Sequence, residues 1–509
     1  MPIDGDAIIH GPWTSGAVYN LPPENLEEDQ CTDTINVRIG EAGEAEKRTG
    51  TLSYKDEVGI TGDPNVMVCG EYRESAASTP VFMSAGAVFY EYTGGTWTPK
   101  TGSQTITADK TFETVGANGT LVLTNGHNPM LKWAGAGNSL ALLDVDSRFD
   151  SAEHVAFWDN RLWLGNTNAN TDRLWYSALA DIETWGANNN YNFGSDIIGL
   201  QPVSDSLAIH TADDIFTLTP TGNSTIPYQL QQQTQLAGVS GRAILTVPGN
   251  RQFFVMEEGV YKWDGDKEVT KASVDLDDGY WDQLNSAALE NTFAVYYRTN
   301  NELWFWLPYG VTQTAMNDIM VYNLEKQRWH GPFRGKTSTT YFNRTCAGMI
   351  DNKPHAGDFI GQVIDHDSAD MSYTDVNDTG TAAIHAQFTT SAKAPEGEQT
   401  RLKWLFARSY FDSVGAYDVT LNQISSGISG TTETLKQTEA GSALGSFVLG
   451  LSKLGSVRVQ AHDTELSGYD PHSSITVSQN VKGQFFRWRK IVQVYKDLGV
   501  KRKRKAGIS

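Results

Sequence analysis

Two stretches of this 509-residue chain gather carboxylates closely enough to hold a hard cation, Asp275-LDDGYWD and Asp365-HDSAD. Calcium needs several oxygen ligands from one loop, and the helix-loop-helix template sets a glycine at its bend and a glutamate at its close. In the first stretch Gly279 falls one position early and no glutamate follows at the required spacing, while the second lacks the glycine. Both therefore read as solvated turns. The ten histidines, among them His127, His154, His210, His355, His366 and His385, show no metal-ligand spacing. Cys31, Cys69 and Cys346 lie far apart, and an odd number cannot all pair, so neither a disulfide framework nor a zinc site is expected. A phosphate-cradling glycine loop between strand and helix, a GxSxG elbow and an HExxH helix are all missing. The expectation is a protein that is not an enzyme and has no cofactor and no metal. One charged cluster remains, the run Lys501, Arg502, Lys503, Arg504 and Lys505, which reads either as a solvated tail or as a contact for an acidic partner or nucleic acid.

The elements that would carry such residues are strands. Aromatics and glycines are plentiful and charged residues make up only 20% of the chain, which favours short strands and tight turns over helical bundles. A strand, a turn and an alternating strand with an aromatic near its end recur as Val81-FMSAGAVFYEYTGG, Leu121-VLTNGHNPMLKWAG, Leu162-WLGNTNANTDRLWYSA, Leu207-AIHTADDIFTLTP, Phe253-FVMEEGVYKWDGD and Leu303-WFWLPYGVTQTAMNDIMVYN. The markers Tyr92, Trp133, Trp175, Phe216, Trp263 and Tyr322 are spaced by 41, 42, 41, 47 and 59 residues. That period fits a four-stranded propeller blade. His154-VAFWDN and Asn291-TFAVYYRTNN supply preceding strands through Asp-Asn and Asn-Asn turns, and Ala347-GMIDNKPHAGDFIGQVID supplies a seventh unit. The aromatic markers read as packing residues between blades.

The fold expected is thus all-β: a six- or seven-bladed β-propeller plus a C-terminal β-sandwich. Residues 1–59 read as an N-terminal arm, with the strand around Asn36-VRIGEAGEAEKRTG as a candidate for closing the ring. Residues 60–378 form the propeller, and 379–509 a sandwich domain with a basic C-terminal tail. No apolar stretch approaches the length of a membrane span, and MPIDGDAIIHGPW lacks the regions of a signal peptide, so a protein made in a reducing cytoplasm is expected. Formal charge is −20, unevenly spread: residues 481–509 hold ten basic side chains and one acid, leaving −29 on the rest. Such a body is opposed to gripping DNA or an anionic membrane.

Several segments resemble the tail nozzle or hub proteins of short-tailed bacteriophages, also known as tail tubular B-like or packaged-DNA-stabilisation proteins. Asn20-LPPENLEEDQCTDTINVRIGEAGEAEKRTG is similar to that family's opening, Asn118-GTLVLTNGHNPMLKWAG, His154-VAFWDNRLWLGNTNANTDRLWYSALADIETWG and Ile198-GLQPVSDSLAIHTADDIFTLTPTG to its blades, and Phe486-RWRKIVQVYKDLGVKRKRK to its closing strand and basic terminus. The resemblance implies a structural subunit of a viral tail, located in the virion and assembled in the host bacterial cytoplasm. Its partners would be copies of itself in a ring, commonly a hexamer, the portal and adaptor proteins of the head-to-tail connector, and tail fibre, spike or needle proteins. Viral double-stranded DNA would pass through the lumen for retention and ejection, without sequence-specific binding. The alternatives are a carbohydrate-binding propeller for host recognition, and behind it a propeller glycosidase. Ser273 to Trp281 resembles the S-x-D-x-G-x-x-W turn of sialidases, but Gly279 and Trp281 fall out of its register.

Overall fold

Alternation of apolar and polar residues over five to seven positions, punctuated by Asn-, Asp- and Gly-containing turns, leaves this chain little option but antiparallel hairpins. At the tip of one hairpin Asp159 and Asn160 both adopt the left-handed conformation, φ +49° and +53°, which a tight two-residue turn needs. The computed structural model describes residues 5–55, 60, 62, 64–75, 78–145, 148–223, 225–236, 238–265, 268–335, 343–368, 374–377, 380–396, 400–412, 417–425, 428–437, 459–482 and 484–500. Among these the helical content is five short 3-10 turns.

Seven four-stranded antiparallel sheets follow one another along the chain. Blade one is built from Val66–Glu71, Val81–Ala85, Val88–Thr93 and Thr96–Pro99, and blade three from Ala152–Trp158, Arg161–Thr167, Arg173–Ala178 and Asp181–Asn192. All six aromatic markers fall on the third strand of their blades, so the sequence period is the blade period. Seven hydrophobic clusters lie between successive blades, including the one where blade seven meets blade one. Each sheet is therefore buried on both faces. This accounts for Glu302–Leu307 in blade six, where six consecutive residues are buried, a pattern that a one-sided sheet would not tolerate. Each Leu, Val or Phe fully buried in these layers stabilises the fold by about 1.5–3 kcal/mol.

Ring closure differs from the expectation. The outer strand of blade seven is Leu52–Ser53, with Ser53 opposite Ile364 and Leu52 opposite Asp365. The Tyr54 N–H donates to the Val363 carbonyl at 2.6 Å. The segment around Asn36 does not close the ring: Val37–Ile39 and Ala45–Lys47 form a hairpin in a sandwich sheet, because Val37, Ile39 and Ala45 bury their side chains against Trp13, Phe486 and Trp488.

The N-terminal segment is not an arm laid on a finished domain. One six-stranded sheet combines Asp6–His10, Val37–Ile39 and Ala45–Lys47 with Thr400–Asp412, Val459–Glu465 and Arg487–Val500. The other combines Gly16–Ala17 and Gln30–Ile35 with Ala386–Thr390, Tyr417–Ser425, Ile428–Gln437 and Ser474–Gln479. Both ends of the chain thus build one sandwich and the propeller is inserted between them, so a boundary near residue 59 cuts through shared sheets. A hairpin, Thr374–Asn377 with Gly380–Ala383, leads from the propeller back into the sandwich.

Candidate functional site: the propeller axis and its mouth

The first strands of all seven blades converge on the propeller axis and line a cavity of about 450 Å³. Duplex DNA cannot thread through it. At one mouth the cavity shares Glu113, Gly241 and Arg242 with an adjoining polar space of about 440 Å³, rimmed by Lys110, His127, Glu153 and His154.

Three charged groups define this mouth. Glu113, on the first strand of blade two, sits 2.9 Å from His154 Nδ1 on the first strand of blade three. Its other oxygen accepts from the Val155 N–H at 3.3 Å. Burial alone would lower the His154 pKa, but the charge and hydrogen bond of Glu113 outweigh it and raise it, so the imidazole holds its proton more tightly than usual. Arg242, between blades four and five, donates from Nη2 to the Asn291 carbonyl at 3.2 Å. Its Nη1 is buried without a hydrogen-bond partner. Burial draws the guanidinium pKa down, opposed by Glu113 and by Cys346, Glu153 and Glu290. Gly241 makes this turn feasible, since a Cβ there would fall on the Ile198 carbonyl oxygen. Each of these contacts spans a gap between blades. What they do chemically is tie the inner rim together and hold charged side chains at the mouth.

No sequence motif marks this site, because its residues are not local in sequence. Glu113 and His154 are 41 residues apart, one blade period, and buried His210 reaches Gln252 at 3.0 Å from 42 residues away. Residues one period apart occupy equivalent places in neighbouring blades, and that periodic pairing was the available signal.

The carboxylate clusters have other work. Asp277 pairs with Lys271 at 2.7 Å, and the Asp275 carbonyl accepts from the backbone N–H of Tyr19. In the second cluster Asp367 accepts from Thr49 and Tyr297 and faces Arg38 at 3.7 Å, while His366 accepts from Arg344 Nε at 3.1 Å. Among the described residues no group of three or more His, Cys, Asp or Glu is placed to hold a metal. Trp133, Trp175, Trp263 and Tyr322 are buried between blades, which removes them as a sugar-facing ring. Lys501, Arg502, Lys503, Arg504 and Lys505 lie outside the described residues; the strand leading to them, Arg487–Val500, crosses the first sandwich sheet.

Fold and site together define a class, a seven-bladed β-propeller mounted on a β-sandwich made from both chain ends. No family model matches the chain and no curated protein matches it. Among solved structures it is similar to YCF48 bound to D1 peptide, at 12% identity over 63% of this chain and 98% of that one, with a TM-score of 0.39. It is also similar to YCF48 from Cyanidioschyzon merolae (10%, 61% and 98%, TM-score 0.38) and to BamB from Moraxella catarrhalis (8%, 63% and 96%, TM-score 0.36). Identities of this order carry nothing about what the chain binds.

Proposed function

We propose that this chain is a non-enzymatic structural subunit of a bacteriophage tail nozzle or hub, several copies forming a ring, commonly of six, through which the genome is retained and then ejected. The observation that carries this is the way propeller and sandwich are made into one stiff block. Blade six presents its outer strand, Arg328–Arg334, to the sandwich. Arg328 donates to the carbonyls of Thr14, Ile39 and Gly40 at 3.0, 3.0 and 2.6 Å, and the Asn36 N–H donates to the Pro332 carbonyl at 2.8 Å. The Arg38 guanidinium meets Glu302 at 2.5 Å. A conduit that contains pressurised DNA needs a block of this kind and needs no catalytic group.

The size of the axial cavity restricts the model further. DNA would run between subunits, along the ring axis, and not through any propeller. The excess of acidic residues outside the final segment fits a lumen that repels phosphate and lets the duplex slide. In this reading Lys501 to Lys505 reach an acidic surface of the neighbouring subunit or of the adaptor. Electron microscopy and sedimentation of the purified full chain, alone and mixed with portal–adaptor complex from the same phage, test it. Rings with a central opening, or a stable complex below the adaptor, are expected. A chain that stays monomeric and ignores the connector would overturn the reading.

A further inference from the structure

The ring closes where blade seven meets blade one, at a seam where the two-residue strand Leu52–Ser53, which precedes blade one in the chain, forms the outer strand of blade seven. Two of the three cysteines lie at that seam. Cys69 is on the first strand of blade one and Cys346 on the first strand of blade seven, both buried in the cluster that joins these blades. The strands approach so closely that a Cβ on Gly348 would fall on the Cys69 carbonyl oxygen. Cys346 Sγ points across the seam, 3.5 Å from the carbonyl oxygen of Val66 in blade one, and both thiols sit in the one buried cluster between the two blades. Both residues line the axial cavity, which is continuous with the mouth at Glu113 and Arg242.

We propose that Cys69 and Cys346 are a redox-modification site, a thiol pair that a small peroxide entering the axial cavity oxidises to a disulfide, latching blade seven to blade one. In the first step Cys346 Sγ attacks one peroxide oxygen, the O–O bond breaks, and the departing oxygen takes up the thiol proton and leaves as water, giving a sulfenic acid. In the second, Cys69 Sγ attacks that sulfur, the S–O bond breaks, and the hydroxyl leaves with the Cys69 proton as a second water. The two sulfurs together lose two electrons and the peroxide gains two. The environments suit this order. The neighbouring Cys346 thiol and burial push the Cys69 thiol well up. Burial would do the same to Cys346, but the neighbouring Cys69 thiol and the Gly357 N–H, with the nearby Arg242 charge, draw its pKa down. Cys31 is the internal control: sealed in the sandwich core, its thiol is pushed up to about 12, chiefly by burial.

The latch does not depend on the nozzle reading. Its test uses the full chain, treated with hydrogen peroxide, quenched with an alkylating agent and mapped without reduction. The expected result is one linked peptide pair containing Cys69 and Cys346, with Cys31 alkylated. A rise in Tm of about 5 °C or more should accompany the link, because it closes a loop spanning nearly the whole propeller, and a dithiol reductant should abolish the rise. Cys69→Ser and Cys346→Ser each remove the link and Cys31→Ser leaves it. Three thiols still alkylatable after unfolding, a sulfinic Cys346 without a linked peptide, or a link between molecules would each overturn the proposal. The wild-type peptide map decides it even where a seam variant fails to fold.

Discussion

His10 is sealed inside the sandwich, with Nε2 2.7 Å from Gln493 Oε1 and Nδ1 3.1 Å from Ser391 Oγ. Burial lowers its pKa to about 4, and His210 is lowered to about 4 for the same reason. His330 and His366 are driven well below the ordinary histidine range by burial and by the arginines beside them. In the unfolded chain all four titrate near 6.5. Between about pH 6.5 and 4 the unfolded state therefore binds protons that the folded state refuses, and stability falls as pH falls, by about 1.4 kcal/mol per pH unit for each fully neutral buried histidine. Four groups act in the opposite sense, His154 and the carboxyls Asp33, Asp275 and Asp318, whose pKa values are all raised. The raised pKa of His154 gives a contribution that is present below about 6.5 and fades as pH climbs through its folded value. Asp318, raised to about 6 by burial against the pull of Arg334, gains stability on acidification. With His355 and His385, also lowered chiefly by burial, six lowered histidines outnumber these four, so urea midpoints should drop from pH 6.5 to 4.5. In His10→Gln the slope of unfolding free energy against pH over that window should be shallower by about 1.4 kcal/mol per unit. Equal slopes for wild type and variant would show that His10 is not held neutral.

The blades were legible in the sequence because each strand's face pattern is set by a period of two and each blade by a period near 41, and all six aromatic markers proved to share one strand position. What closes the ring was not. Leu52–Ser53 carries two residues, too few for any alternation to register, and its place is fixed by blade seven's free edge. The alternating segment upstream looked the better candidate, yet its apolar side chains had a deeper site among Trp13, Phe486 and Trp488. Local pattern shows that a segment is a strand but not which edge it will meet. The short strand is nonetheless decisive for the ring. Replacing Tyr54 by proline removes the N–H given to the Val363 carbonyl and exposes the edge of Val363–Asp365. Hydrogen exchange should accelerate in Arg344–Ile350, Lys353–Asp358 and Val363–Asp365 by at least about tenfold, a local opening cost of about 1.4 kcal/mol, while Ser474–Gln479 in the sandwich keeps its protection. Uniform acceleration across both domains would mean that the strand does not act as a local closure.

At the scale of the molecule the chain's two ends are woven through the same sheets, and this too lay beyond sequence reading, since three of the five short strands within residues 6–47 find partners more than 300 residues away. The consequence is mechanical. Ordinary inter-domain contacts are polar and permit motion, but here the polar groups are buried and paired. Arg48 meets Asp375 at 2.6 Å with both side chains only 3% exposed, donates to the Arg334 carbonyl, and shares Asn36 with the backbone of blade six. A buried pair adds little over an apolar replacement, but removing one partner strands the other charge at a cost of about 3–5 kcal/mol. Because the sandwich cannot form without residues that precede the propeller, and blade six rests on those residues, the two domains should unfold as one. Calorimetry and urea unfolding monitored by tryptophan emission and by far-ultraviolet circular dichroism should give one coincident transition. Arg48→Ala should shift that whole transition by about 3–5 kcal/mol without splitting it, whereas Arg48→Met with Asp375→Leu should recover most of the loss. A variant that separates a propeller transition from a sandwich transition would show two independent domains joined by a soft contact.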